Sequence, residues 1–233
     1  GEARYIAMDG RKLGPARIEL CVQAQLGDRV SARSGRFTRA SLAAQRGFTY
    51  NERGKQLRLR AFGGAFLQKR GAPLTTLEAW SLSWGPEDIF FDNAYFDRGR
   101  YSTAFFGRQF SKQQGAFKMP FRGGGSASWI GSVNAELDLP FKLPLALFTS
   151  AGWAPYTEVA SDGSRRERTA THWEAGIGVP LAKDMVEVWF PVFVSDRIRK
   201  EEQATGRGYG DRIRFVLALE KLDPTRIVRA IKP

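Results

Sequence analysis

Arg17-Ile18-Glu19-Leu20-Cys21-Val22-Gln23-Ala24-Gln25-Leu26 is the stretch that decides the fold. Ile18, Leu20, Val22, Ala24 and Leu26 fall on one side, and Arg17, Glu19, Cys21, Gln23 and Gln25 on the other. Successive side chains of a strand point to opposite faces, so this stretch predicts a strand with one apolar and one polar face.

The same period recurs along the chain. Leu57, Leu59, Ala61, Gly63, Ala65 and Leu67 share a face opposite Arg58, Arg60, Phe62, Gly64 and Phe66. Trp129, Val133, Ala135, Leu137 and Leu139 oppose Ser132, Asn134, Glu136 and Asp138. Trp173, Ala175, Ile177, Val179 and Leu181 oppose His172, Glu174, Gly176 and Gly178, and Ile213, Phe215, Leu217 and Leu219 oppose Arg212, Arg214 and Glu220. Weaker strands fit at 37–50, 75–84, 145–154 and 186–195, with a further one at 4–9. The sum is nine or ten strands, each near the ~9–11 residues that cross a bilayer when tilted. The expected fold is all-β: an antiparallel up-and-down transmembrane β-barrel forming one domain over 1–233, or a part of a larger barrel.

Composition agrees with many strands and tight turns. The chain of 233 residues has 25 glycines, 17 phenylalanines and 6 tryptophans, an enrichment that suits sheets and close backbone approaches. Its 26% charged residues are set among 42% hydrophobic ones, which excludes a disordered chain. The formal net charge of +12 calls for an anionic partner. The basic residues are dispersed through alternating segments rather than gathered in a stripe, which disfavours nucleic acid. The densest run, Arg165-Arg166-Glu167-Arg168, reads as part of a loop beside Ser161, Asp162 and Gly163. It is either a solvated loop or a contact for lipopolysaccharide phosphate. The single cysteine, Cys21, rules out an intramolecular disulfide. No apolar run approaches the ~20 residues of a spanning helix, but closed barrels cross bilayers without one. No N-terminal signal sequence is visible, and the chain opens on Gly1 as though a signal or an upstream domain had been removed.

Alternation alone does not say which face looks inward. A soluble barrel buries its apolar face, whereas a membrane barrel turns it to lipid. Three features favour the membrane. The polar faces mix charges that could pair across a lumen. Tyr50, Trp84, Trp129, Trp153, Tyr156 and Trp173 lie near predicted strand ends, as an interfacial girdle would. The connections are lopsided: Pro140–Pro144 and Ala182–Met185 are short, whereas Gly85–Ser128, Pro155–Thr171 and Asp196–Gly210 are long. The compact turn Asn51-Glu52-Arg53-Gly54 is expected on the long-loop side, against that trend.

The longest loop, 85–128, carries Phe90, Phe91, Tyr95, Phe96, Tyr101, Phe105 and Phe106, then Phe110, Phe117 and Phe121. So many aromatics are not expected to stay solvated, and the loop is read as a plug in the lumen or a surface for a partner subunit.

Several segments resemble the C-terminal barrel of outer-membrane proteins whose upstream part is a gluzincin-type, zinc aminopeptidase-like domain. They are Phe48-Thr49-Tyr50-Asn51-Glu52-Arg53-Gly54-Lys55, Phe91-Asp92-Asn93-Ala94-Tyr95-Phe96-Asp97-Arg98 and Gly115-Ala116-Phe117-Lys118. The tail adds Trp173-Glu174-Ala175-Gly176-Ile177-Gly178-Val179-Pro180-Leu181 with Val186-Glu187-Val188-Trp189-Phe190-Pro191, then Asp211-Arg212-Ile213-Arg214-Phe215. The resemblance implies an outer-membrane anchor or assembly module in a Gram-negative envelope, with peptidase chemistry confined to an upstream domain. Partners would be outer-membrane lipid, lipopolysaccharide and other outer-membrane proteins.

No catalytic, cofactor or metal residue is assigned. HExxH is absent, and His172 is the only histidine. Gly123-Gly124-Gly125-Ser126 lacks the Walker lysine, and the spacing of Glu87, Asp88, Asp92 and Asp97 does not match an EF-hand. A soluble barrel binding an apolar or anionic small molecule, and a pore for small solutes, remain the competing readings.

Overall fold

A computed structural model describes residues 1–25, 36–70, 79–83, 114–159, 163–182 and 186–217. Strands β1 (Glu2–Asp9), β2 (Ala16–Gln25), β3 (Arg36–Thr49) and β4 (Gln56–Arg70) run in succession. Two short strands, β5 (Trp80–Ser81) and β6 (Gly125–Ser126), pair only with each other. Then come β7 (Trp129–Asp138), β8 (Ala146–Val159), β9 (Arg165–Ala182), β10 (Val186–Val194), helix α1 (Asp196–Ala204) and β11 (Arg214–Leu217). The main sheet has nine strands in the order β1-β2-β3-β4-β7-β8-β9-β10-β11, every neighbour antiparallel. Among the described residues β1 and β11 are its two ends and do not pair with each other.

The expected strand at 75–84 is corrected. β4 pairs directly with β7, and among that region's described residues only Trp80–Ser81 is extended, paired with β6 rather than with the main sheet. This changes which end each turn occupies. β1, β3, β7 and β9 finish at one end, which we call the short-turn end, and the connections 10–15, 50–55 and 139–145 lie there. β2, β4, β8 and β10 finish at the other, the long-loop end, where only 160–164 separate β8 from β9, so the long connection expected over Pro155–Thr171 is corrected. Asn51–Gly54 therefore sits with the other short turns, not with the long loops. Its tightness follows from Gly54, whose φ of 73° is left-handed and is cheap only for glycine.

A second correction concerns Arg165-Arg166-Glu167-Arg168. The run begins β9, in register with β8 from Val159 back to Tyr156. β7 reaches β8 only as far as Trp153, so this end of the β8–β9 hairpin projects beyond β7. Asp196–Gly210, expected as a loop, contains α1. Ile198 and Glu202 lie one helical turn apart and are both buried, which fixes its inner face.

Four strands of the main sheet and α1 share one apolar cluster. Phe62 of β4, Ile130 of β7, Ala154 of β8, Val194 of β10 and Ile198 of α1 meet Trp80, Leu82, Phe117, Met119 and Phe121 there. The last five come from the connection between β4 and β7. Leu82 N–H donates to Gly124 O at 2.9 Å and Phe117 N–H to Leu82 O at 2.9 Å, so 79–83 and 114–126 form one inner piece. Glycine makes room for it. A Cβ on Gly152 would stand 2.7 Å from Leu82 Cδ2 and 2.8 Å from Phe117 Cε2. We predict that Gly152→Val overpacks this contact and lowers stability by about 1–3 kcal/mol in denaturant unfolding. An unchanged midpoint would place the inner piece elsewhere.

Candidate functional site

The two faces of the sheet differ in chemistry and in exposure. Leu42 is 50% exposed, Val133 46% and Ile177 41%, whereas Arg39 is 3% exposed, Glu187 2% and Glu174 0%. The apolar residues of the alternating pattern lie on the more exposed face, and these charged ones on the buried face. On β9 the outward positions from Trp173 to Leu181 are Trp, Ala, Ile, Val and Leu. That stretch is about 27 Å long at ~3.4 Å per residue, or roughly 20 Å high at the usual barrel tilt.

Several charges on the buried face are held in pairs. Lys118 Nζ lies 2.6 Å from Glu136 Oε1, and Arg58 Nε lies 3.2 Å from Glu136 Oε2. The Arg58 guanidinium also donates to both Asp138 oxygens, at 3.0 and 3.3 Å. The Lys118–Glu136–Arg58–Asp138 ladder thus runs from the inner piece down to the short-turn end. Strand register makes it: Arg58 is opposite Glu136 across β4 and β7, and Asp138 is two residues on, on the same face. Arg39 Nε donates to Gln23 Oε1 at 2.5 Å, and its guanidinium lies 4.7 Å from the Trp80 ring centre.

The inner piece is clamped to the wall by Glu174. Its Oε1 accepts the Lys118 N–H at 2.6 Å and its Oε2 the Met119 N–H at 3.0 Å. A buried carboxylate is costly unless its lone pairs are met, and here two main-chain donors meet them. Lys118 also places its ammonium 4.3 Å from the Trp189 ring centre, and Asn134 Nδ2 donates to Gly115 O at 3.0 Å. At the long-loop end α1 closes over the same piece. Glu201 accepts the Gly123 N–H at 3.2 Å, and Arg207 donates to Pro120 O at 3.3 Å. Glu202 is gripped by Arg212 through two bonds of 2.8 Å.

Trp129, Trp153 and Trp173 stand on adjacent strands at similar heights, on the outward face near the long-loop end. Tyr50 lies at the opposite, short-turn end, its hydroxyl donating to Asp138 O. Tyr156 is not with the tryptophans. It is packed under Arg197 of α1, 4.3 Å from ring centre to guanidinium, with its hydroxyl accepting from that residue at 2.9 Å. Trp84 lies outside the described residues, as do Phe90, Phe91, Tyr95, Phe96, Tyr101, Phe105, Phe106 and Phe110. Of the aromatics named in that loop, Phe117 and Phe121 are described, and both are fully buried in the inner cluster. His172 is buried against Phe121, ring centres 4.8 Å apart. Among the described residues no group of three or more His, Cys, Asp or Glu could hold a metal ion.

Sequence reasoning missed Glu174 and Lys118 as a clamp. Both residue types were visible, but the main-chain donors that meet Glu174 come from a segment 55 residues away in sequence, which no local pattern encodes.

Glu174→Ala should strand two buried N–H groups and remove a main tether of the inner piece. The expected result is a loss of about 2–5 kcal/mol with faster hydrogen exchange over 114–121; full protection there would refute the clamp. No protein-family model, curated protein or solved structure matches this chain, so its own geometry carries the functional reading.

Proposed function

We propose that this chain is an outer-membrane β-barrel module that serves as an anchor or assembly subunit and performs no chemistry itself. The observation that carries the reading is the inverted distribution of side chains. Outward positions across the middle of the sheet are apolar and exposed, while on the opposite face of β4 and β7 Arg58, Glu136 and Asp138 are largely buried and paired, with Lys118 on Glu136. In water such a surface would be a large aggregation liability. Against hydrocarbon it is the favourable arrangement, because main-chain groups are met laterally and greasy side chains meet lipid.

Closure of the sheet is part of the proposal. A bilayer tolerates no open strand edge, so the outer edges of β1 and β11 must be met by closing the sheet or by further strands. Three of the four connections at the long-loop end are longer than any at the other, which supports the same orientation, with the short turns on the periplasmic side. At the long-loop end Arg165, Arg166 and Arg168 are exposed and suit lipopolysaccharide phosphate. The peptidase chemistry implied by the resemblance would belong to residues outside this sequence.

An inner piece clamped across β7–β10 argues against a wide conduit, so the anchor reading is preferred to the pore. A soluble barrel with an apolar ligand site needs its greasy face inward, contrary to the exposures above.

The refolded protein is expected to float with phospholipid vesicles and to resist extraction by alkaline carbonate. Val133→Arg, placed in mid-strand on the outward face, should lower stability in the bilayer by about 2–4 kcal/mol. A soluble, monodisperse protein without detergent, indifferent to that substitution, would overturn the proposal.

A further inference from the structure

The short-turn end carries a surface that nothing above has used. Leu13 is 74% exposed, Phe141 57% and Leu143 63%, all in turns rather than on strands. They are interleaved with cations: Arg11 and Lys12 precede Leu13, and Lys142 separates Phe141 from Leu143. Arg53 and Lys55 extend the set in the middle turn. Among the described residues the acids at this rim are few. Asp9 is taken by Arg11 at 3.1 Å, Asp138 is engaged inward by Arg58, and Glu52 remains.

These turns form one built rim. Thr49 N–H donates to Leu13 O at 2.9 Å and its hydroxyl to Lys12 O at 3.0 Å, joining the 10–15 turn to the end of β3. Tyr50 reaches across to Asp138 O, and Lys55 Nζ lies 3.5 Å from Leu143 O, joining the 50–55 and 139–145 turns. Such bracing holds the turns that carry these side chains next to one another. Just above it, on the outward face, Arg46 lies over the Phe48 ring, 5.0 Å from its centre, as a cation does when its stem stays among apolar groups and its head seeks polar ones.

We infer that this rim binds anionic phospholipid headgroups, the apolar tips entering the acyl boundary while the cations meet phosphates. The inference rests on the membrane reading and adds a lipid class and a leaflet to it. Alternating cationic and apolar side chains are the composition of interfacial anchors. A purely solvated turn gains nothing from Phe141 and Leu143, and a protein partner would leave the excess of unpaired cations unexplained. Each basic residue near an anionic surface is worth about 1 kcal/mol, roughly fivefold in binding, so three together amount to roughly a hundredfold.

The test uses the folded full chain. In detergent micelles it is titrated with phosphatidylglycerol or phosphatidylcholine, and bound lipid is counted by native mass spectrometry. Flotation with vesicles is scored in parallel. Phosphatidylglycerol should bind preferentially, and Lys12→Gln with Arg53→Gln and Lys142→Gln should lose most of that preference. These side chains are exposed, so circular dichroism should not change. A matched triple at the long-loop end, Arg36→Gln with Arg70→Gln and Lys200→Gln, should keep the preference. Flotation without any lipid preference, or equal loss in both triples, overturns the inference and leaves the membrane reading standing. Failure to float overturns the membrane reading, and the inference with it.

Discussion

A strand cannot place two consecutive side chains on the same face, and everything in this structure follows from how the chain meets that constraint. Leu and Ile alternate with Arg and Glu, so one face of the nine-stranded sheet must be ionic and the other greasy. On β4, β7 and β9 the ionic face is the buried one. Enclosing charge is expensive, and the cost is offset by register: Arg58 opposite Glu136, with Asp138 two positions on, gives each ion a partner within 3.3 Å. Had β4 slipped by one residue against β7, Arg58 would face the outside among Leu and Val.

The enclosed face is not merely paired but occupied. The piece formed by 79–83 and 114–126 supplies the apolar filling at the long-loop half, and Glu174 fixes it by accepting two of its main-chain N–H groups. Lys118 sits at the boundary, its backbone on Glu174 and its ammonium on Glu136 and the Trp189 ring. Below it the interior is ionic, and above it hydrocarbon is capped by α1. This division makes the inner piece a structural part of the module, which suits an anchor better than a conduit.

Much of the sheet was legible from alternation alone, because period two is a local property. β2, β4, β7 and β9 all follow it residue by residue. Where local reading failed, nonlocal structure was responsible. Residues 75–84 have apolar content that suits a strand, but their described part is drawn into the interior by Trp80 over Gly64 and by Leu82 against Phe117. That one extra strand also moved the Asn51–Gly54 turn to the wrong end. Arg165–Arg168 read as a loop because charge was taken for solvation, yet pairing with Tyr156–Val159 needs only backbone. The helix α1 carried a signal that went unread: Asp196 in its first turn, helix-favouring Arg, Lys, Glu and Gln, and Ile198 spaced four from Glu202. The clamp on the inner piece joins residues far apart in sequence and was out of reach of any pattern.

If the greasy face meets lipid tails, the depth of each tryptophan reveals it. Variants keeping one tryptophan each at Trp129, Trp153, Trp173, Trp80 or Trp189 would be folded into vesicles whose acyl chains carry bromine. The first three look outward and the last two are buried on the enclosed face, so the account predicts strong quenching for the former and little for the latter. Quenching absent from all five, or stronger for Trp80 and Trp189 than for the outward three, would contradict it.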